Sequence, residues 1–172
     1  INTIDTVDIA SGWTQQRAVF GKSAHNVVEQ IQDIEQSLPF KLLGFDTDNG
    51  NEFFNKTLFK YFTRRPKDEM IDFTRSRAYH KNDNAHVEQK NWTHVRQWLG
   101  YDRFDNPAAV GLLNDLYKNE WSLYHNYFQP SVKLMAKDRV GSKIVKSHDR
   151  PKTPYQRLLE SKYIDSKTKL LL

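Results

Sequence analysis

The stretch from Asp46 to Phe53 has the sequence Asp-Thr-Asp-Asn-Gly-Asn-Glu-Phe, and the rest of the chain is organised around it. It follows the apolar run 41–45, which predicts a short buried strand, and precedes a helical pattern over 54–62. An Asp-Asn-Gly turn at the carboxyl end of a strand holds acidic side chains at the sheet edge, where α/β proteins usually bind ligands. Asp48 is therefore placed to hold a metal ion if a second carboxylate lies nearby. The alternative is a solvated turn and the start of a helix.

The composition is that of a polar, basic and globular chain. Of the 172 residues, 38% are hydrophobic and 27% are charged, which suits one domain with a core. The absence of cysteine excludes disulfides and thiolate metal sites. The net charge of +5 favours polyanionic partners, and no apolar run is long enough to predict a membrane partner. The chain opens at Ile1 inside a predicted strand and without an initiator Met, so we expect a fragment of a longer protein.

The order of predicted elements indicates an α/β fold with a mixed sheet. Residues 2–10 and 13–20 predict an antiparallel hairpin, followed by a helix from its N-cap Ser23 to about Gln36. A strand at 41–46 completes a strand–helix–strand crossover, in which strands can run parallel. The remaining predicted elements are a helix at 54–62, a strand at 70–74, and helices at 84–99 and from Pro107 onward. We expect Val87, Val95, Trp98 and Leu99 of the helix at 84–99 to contact the core. Four strands make a thin sheet for this many helices.

The C-terminal part of the chain is basic. Seven Lys or Arg lie between Lys133 and Lys152, against Asp138 and Asp149. This segment could follow a nucleic-acid backbone, or it could be a solvated surface. Beyond Pro130 the periodicity disappears, apart from a short helix at 154–161. We therefore divide the chain into a core at 1–128 and a basic tail at 129–172.

Glu88 is the candidate partner of Asp48. It lies in the first turns of the helix at 84–99, directly after the polar, basic loop 75–82. A carboxylate there is held by a rigid element and is favoured by the helix dipole. Hard oxygen ligands without cysteine suit Mg²⁺ or Mn²⁺. A glutamate on a helix is otherwise an ordinary surface residue.

Two motifs and the tail resemble a known family. Residues 48–53 and the segment 75–91, Arg-Ser-Arg-Ala-Tyr-His-Lys-Asn-Asp-Asn-Ala-His-Val-Glu-Gln-Lys-Asn, resemble the catalytic core of retroviral integrases and related transposases of bacterial insertion sequences. Ser11-Gly12-Trp13 in the first hairpin and the tail from Asp149 to Leu159 extend the resemblance over nearly the whole chain.

The resemblance implies an RNase H-like fold and an Asp-Asp-Glu triad that binds two divalent metal ions, Mg²⁺ or Mn²⁺. Asp48 matches the second acid and Glu88 the third. Asn49 and Asn91 match positions near the site. The spacing between the two acids is longer than in retroviral members because of residues 64–69. Two further positions, Lys81 and Ala85, depart from a proline and a glycine common in the family.

A third departure concerns the first acid. In the family it lies on the first, central strand, upstream of the hairpin that begins this chain. Asp8 matches a second-strand acid instead, and Asp5 is no better placed. The first strand is therefore expected to be missing, which would also account for the thin sheet. Because the first acid bridges the two ions, we expect this fragment alone to be inactive.

The resemblance implies DNA integration by the complete protein, in which a 3′-hydroxyl attacks a target phosphodiester. It also implies DNA as a partner, a homo-oligomer, and a place in the bacterial cytoplasm. The expected DNA-binding residues are Arg75, Arg77, His80, Lys81, Lys90 and Arg96. Two alternatives remain open: a non-catalytic DNA-binding remnant of a mobile element, and an RNase H-like nuclease.

The aromatic and histidine side chains give weaker signals. Trp13, Trp92, Trp98 and Trp121 fall at positions that can face inward, so we expect mostly core roles. The histidines lack a metal-binding spacing, and His94 stands alone among polar neighbours in the sequence.

Overall fold

A computed structural model describes residues 1–21, 23–47, 56–67, 69–76 and 85–172, with side chains except at positions 85 and 86. This part is a mixed α/β arrangement of helices and two-stranded sheets. The strands are β1 (Asn2–Val7), β2 (Thr14–Val19), β3 (Gly44–Thr47), β4 (Asp72–Arg75), β5 (Leu134–Val140) and β6 (Lys143–His148). The helices are α1 (Ala24–Ser37), α2 (Lys56–Thr63), α3 (Ala85–Lys90), α4 (Gln97–Leu99), α5 (Ala109–Leu116), α6 (Pro154–Glu160) and α7 (Ser166–Leu171). The segments Asn91–Arg96, Tyr117–Trp121 and Tyr124–Phe128 are π-helical.

The first hairpin confirms the prediction of two antiparallel strands. β1 pairs with β2 from Asn2 opposite Val19 to Val7 opposite Thr14. Asp8 closes the connection, because its Oδ2 accepts hydrogen bonds from the Ser11 backbone N–H at 2.6 Å and the Ser11 hydroxyl at 2.5 Å. Gly12 has φ = 82°, which favours glycine. The Asp8 carboxylate is thus engaged in the turn.

Two asparagine side chains close the outer edge of β2. Asn126 accepts from the Thr14 N–H at 2.9 Å and donates to the Thr14 carbonyl at 2.9 Å. Asn114 does the same at Ala18, at 2.7 and 3.1 Å. Each amide takes the place of a neighbouring strand, so every residue of β2 is buried although it ends the sheet.

The α1 helix covers one face of the hairpin. Ser23 is its N-cap, as predicted, and accepts from the Asn26 N–H at 3.2 Å. Val27, Val28, Ile31 and Ile34 are buried. They belong to a core cluster that also contains Ile4, Val19, Leu58, Phe62 and Ile71. One cluster therefore joins the hairpin to α2 and to the start of β4.

The second half of the sheet is the parallel pair of β3 and β4, with Gly44 opposite Asp72 and Thr47 opposite Arg75. Phe45 and Phe73 stack against Phe62 of α2 at ring-centroid distances of 4.6 and 5.8 Å. Within the described residues, neither β1 nor β2 pairs with β3. The predicted mixed sheet is therefore divided into two separate pairs.

The helical segment that begins at Ala85 reaches Leu99, and Gly100 at φ = 72° ends it, as predicted. Three predictions of core packing along it were wrong. Val87 is 40% exposed, and Trp92 and Trp98 are each about half exposed. Val95, by contrast, is buried as expected. The helix thus packs through a narrower face than its apolar residues indicate.

The tail is structured beyond Pro130, so the prediction that regular structure ends there, apart from one short helix, was wrong. β5 and β6 form an antiparallel hairpin, and the predicted helix near 154–161 is α6. Thr153 and Gln156 form a reciprocal capping box at its start. Asp149 holds the hairpin base, accepting from the Lys133 N–H at 2.6 Å and pairing with Arg157. None of the described helices is long and apolar enough to cross a membrane.

Candidate active site

A groove of about 400 Å³ separates β1 from β3. It is lined by residues of both strands, of α1 and of α3, including Thr6, Val7, Ile34, Phe45, Asp46 and Val87. The exposure of Val87 is explained by this position, since its side chain faces the groove rather than the core. The groove thus lies beside Asp46, two residues before Asp48 in the sequence, and beside Val87, which precedes Glu88.

Asp46 ties β3 to β4 at one end of this groove. Its Oδ1 accepts from the Thr74 hydroxyl at 2.5 Å, and its Oδ2 accepts from the Ser76 hydroxyl at 3.2 Å. The Ser76 N–H also donates to the Thr47 carbonyl at 2.8 Å. These bonds give Asp46 a structural role and define the carboxyl end of β3 at Thr47.

Asp48 and Asn49 follow Thr47 directly in the chain, but both lie outside the described residues. β3 ends at Thr47, and the position of the Asp48 side chain stays a prediction.

Glu88 lies in the first turn of α3 and is exposed. Among the described residues it has no hydrogen bond or ion pair, and α3 packs against β1. The preceding residue, Val87, lines the groove. Within the described part of the chain, the Glu88 carboxylate is therefore exposed and unpaired, next to a residue that lines the groove.

Three of the predicted DNA-binding residues, Arg75, Lys90 and Arg96, lie within the part of the chain that the structure describes. Arg75 is exposed at the end of β4, whereas Arg77, His80 and Lys81 lie outside the described residues. Arg96 is exposed, with its guanidinium 5.0 Å from the centre of the Tyr101 ring. These positions leave Arg75 and Arg96 accessible to a polyanion.

Asn91 and Arg96 share a second cavity, of about 200 Å³, with the N-terminal residue Ile1. Asn91 is half-buried there and does not line the groove beside Val87. It was predicted to lie near the site, and it is one turn from Glu88 along the helix. In the structure Asn91 lines the neighbouring cavity beside Ile1 and Arg96.

Lys90, one of the expected DNA-binding residues, is half-buried. Its Nζ lies 3.2 Å from His94 Nε2. Burial lowers the pKa of Lys90, against the opposing charge of Asp5, and the cations Lys133 and Arg157 lower it further. Lys90 thus belongs to a partly enclosed polar cluster.

His94 is the centre of that cluster, and sequence reasoning missed it. Its ring stacks on the His125 ring with centroids 3.8 Å apart. The Thr93 hydroxyl donates to the Gln89 carbonyl, so it can only accept from His94 Nδ1 at 2.7 Å. His94 Nε2 is then the acceptor for Lys90, which requires the neutral ring. No spacing in the sequence predicts this stack, because it joins two distant helical segments.

Both rings are held neutral. Burial lowers the pKa of His94 to about 2, with the positive Lys90 and the adjacent His125 adding to the effect. Burial lowers the pKa of His125 to about 4, against the raising effect of its hydrogen bond to Gln129. Burial also raises the pKa of Asp5 to about 7, although Gln16 and Lys90 partly offset this. The cluster is therefore much less charged than its residue types suggest.

The described residues contain no group of three or more His, Asp or Glu side chains that could share a metal ion. Glu88 remains the one predicted acid whose side chain is described. As an exposed carboxylate without a partner in that part of the chain, it fits a Mg²⁺ or Mn²⁺ ligand by the chemistry of its donor atoms.

Comparison with known proteins identifies a relative but no activity. No family model matches the chain. Over 157 residues, the chain is 38% identical to the uncharacterized protein y4rM of Sinorhizobium fredii (strain NBRC 101917 / NGR234). That alignment covers 91% of this chain and 43% of the relative, so the chain spans less than half of the relative's length.

Proposed function

We propose that this chain is part of the catalytic core of a DNA transposase or integrase with an RNase H-like fold. The complete protein uses a DNA 3′-hydroxyl to attack a target phosphodiester. Asp48 and Glu88 are two of its three catalytic acids. The first acid lies on a strand that precedes Ile1 in the parent protein, so the 172-residue chain alone does not join DNA strands.

The groove between β1 and β3 is the observation that carries this proposal. Asp46, two residues before Asp48, lines the groove, and so does Val87, which precedes Glu88. Asp46 and Val87 are 41 positions apart in the sequence, since 87 − 46 = 41, yet they border one space. A shared pair of cations requires such convergence.

The same groove supports the proposal that a strand is missing between β1 and β3. The outer edge of β2 is closed by Asn114 and Asn126, while β1 and β3 each pair on one side only within the described residues. A strand between them would give the order β2-β1-new strand-β3-β4. That is the position which the family resemblance assigns to the first strand.

The chemistry follows from the residue types. Divalent cations held by the three acids would stabilise the charge on the attacking and leaving oxygens of an in-line displacement. Asp48 and Glu88 would hold those ions with hard carboxylate oxygens. Asp46 would keep β3 and β4 in register through Thr74 and Ser76, and α3 would fix Glu88 against β1.

The test is a strand-transfer assay on the complete parent protein with Mg²⁺ and duplex DNA. We expect Asp48→Asn and Glu88→Gln to reduce joined product to background. Glu120→Gln is the matched control, since Glu120 is an exposed helical glutamate away from the groove. Full joining activity in the Glu88→Gln variant would reject the assignment.

The products distinguish the alternative activities. Joined strands support the proposal, whereas hydrolysed strands that still depend on Asp48 and Glu88 indicate a nuclease. DNA binding with neither product indicates a non-catalytic remnant. Mg²⁺-dependent strand transfer by the 172-residue chain itself would contradict the proposal that a preceding strand is required.

A further inference from the structure

The hairpin of β5 and β6 has two faces of different charge. Opposite residues in an antiparallel pair share a face, and faces alternate along each strand. Lys137 lies opposite Lys146, and Arg139 lies opposite Ile144. These four residues form what we call the basic face, which carries three cations and no acid.

The other face is neutral. There Asp138 lies opposite Val145, and Val140 lies opposite Lys143, so one acid balances one cation. All of these residues are exposed on a hairpin whose strands are almost entirely accessible to solvent. The two faces therefore differ in charge because of the strand register, since the residues of both faces are exposed.

The basic face is electrostatically uncompensated. Like charges directly opposite each other in an antiparallel pair destabilise it. Lys137 and Lys146 form such a pair, and neither has an ion pair with a carboxylate within the part of the chain that the structure describes. A bound polyanion would remove this repulsion.

The hairpin base is fixed beside the helix that carries Glu88. Lys133 and Asp149 exchange hydrogen bonds, and Asp149 pairs with Arg157. A cleft of about 640 Å³ lies between this base and the helix. Its lining includes Lys133, Leu134 and His148 from the hairpin, and Gln89 and Lys90 from the helix. The cleft therefore joins the residue after Glu88 to the hairpin.

We propose that the basic face binds the phosphate backbone of duplex DNA that extends from the site at Glu88 across this cleft. Lys137, Arg139 and Lys146 contact phosphates, so they position the duplex without reading its sequence. The inference rests on the proposed function for the choice of duplex DNA as the polyanion. It assigns the contact to one face of one hairpin.

The test measures binding of the 172-residue chain to a fluorescent duplex of about 30 base pairs between about 50 and 200 mM salt. For Lys137→Ala/Lys146→Ala we expect the slope of log affinity against log salt to fall by about 2, and affinity near 100 mM salt to fall by about tenfold to a hundredfold. Lys143→Ala, on the neutral face of the same hairpin, is the control. Because the proposed DNA contact lies on the other face, its salt slope and its affinity should stay within about twofold of the wild-type values. Equal effects of the two changes would overturn the proposal.

A second variant excludes unfolding as the cause. Lys146→Glu places opposite charges across the pair with Lys137, so the hairpin should be at least as stable while DNA affinity falls further. Retained affinity in Lys146→Glu would overturn the proposal. Binding to vesicles rich in anionic lipid, with the same dependence on Lys137 and Lys146 but without duplex binding, would also overturn it.

This binding test separates failure of the inference from failure of the proposed function. The Glu88→Gln variant should bind the duplex with the wild-type salt slope, because Glu88 is absent from the basic face. If strand transfer is never observed but the hairpin variants lose duplex binding, the basic face is supported and the catalytic assignment fails.

Discussion

The side-chain amide of Asn126 makes two hydrogen bonds to the backbone of Thr14 in β2. Its Oδ1 accepts from the Thr14 N–H, and its Nδ2 donates to the Thr14 carbonyl. Asn126 is fully buried and comes from a helical segment 112 positions away. Hydrophobic burial alone cannot keep a polar strand such as Thr14-Gln15-Gln16-Arg17 inside a protein. These residues stay there because most of their polar groups are paired: Arg17 is bonded to Asp33 and to the Gln16 carbonyl, and Gln16 Nε2 donates to Asp5 Oδ1. Among the described residues, the Thr14 hydroxyl and Gln16 Oε1 are buried without a partner.

Replacing Asn126 by alanine should destabilise the fold strongly. Asn126→Ala leaves the buried N–H and carbonyl of Thr14 without partners, at a cost of roughly 2–4 kcal/mol in the free energy of unfolding. Urea unfolding would measure this. Asn119→Ala removes an exposed hydrogen bond to Asp115 and should change stability by less than about 0.5 kcal/mol. Similar effects of the two substitutions would contradict the edge-closing role of Asn126.

The stacked histidines should make the fold sensitive to acid. Their folded-state pKa values, about 2 for His94 and about 4 for His125, lie below the ordinary value of 6.5. The unfolded chain therefore binds more protons below pH 6.5, and stability falls as the pH decreases from about 6.5 toward 4. Between pH 7 and 5 each ring should contribute a loss of roughly 2 kcal/mol.

Asp5 acts in the opposite direction. Because its folded-state pKa of about 7 exceeds the ordinary 3.8, the cost of its ionisation is relieved as the pH falls below 7. Asp5→Asn should thus raise stability at pH 8 and steepen the loss between pH 7 and 5. Urea unfolding at several pH values would measure both effects. Parallel curves for wild type and Asp5→Asn would contradict the assignment.

At the scale of elements, local signals predicted α1 and the first hairpin well. Ser23 supplies an N-cap, the spacing of Val27, Val28, Ile31 and Ile34 fits one helix face, and Gly12 permits the turn. The sequence of the β5–β6 hairpin contains a turn signal too, namely Gly141-Ser142 between two short segments that mix apolar and basic residues. In the structure Gly141 has φ = 62°. The strands of this hairpin are exposed, so they lack the apolar periodicity that usually identifies a strand.

The capping box of α6 gives a prediction at this scale. Thr153→Ala removes the hydroxyl that accepts from the Gln156 N–H and should cost about 1 kcal/mol in the free energy of unfolding. Ser142→Ala, in the exposed turn of the β5–β6 hairpin, is the control and should be nearly neutral. If urea unfolding shows equal stability for both variants, the capping box contributes nothing measurable.

For the whole molecule, the divided sheet is the main result. β1 and β3 line the two sides of one groove, and the core cluster joins their supporting helices. A strand inserted there would pair with both halves and make the sheet continuous. The proposed function depends on this insertion, because the strand would also bring the first acid.

Hydrogen exchange tests the insertion. In the 172-residue chain, the amides of β1 that do not face β2 should exchange faster than those bonded to β2, since no strand of the described residues pairs with that edge. In a chain that begins further upstream in the parent protein, those amides and the amides of β3 should be protected at least about tenfold more, and thermal stability should rise. The amides of β2 bonded to Asn114 and Asn126 are the internal control. Unchanged exchange in β1 and β3 would contradict a strand in the groove.

The sequence by itself determined the order of the elements before Pro130, the N-cap Ser23, the glycine turns and the residue types that suggest acid-dependent chemistry at Asp48 and Glu88. These features depend on neighbours within a few positions, where propensity and hydrogen bonding are local. Only the tertiary structure decided that Val87 faces a groove, that Lys90 is half-buried beside His94, and that Asn114 and Asn126 close β2. Those outcomes join segments up to 112 positions apart, and no local pattern encodes which distant surfaces will pack together.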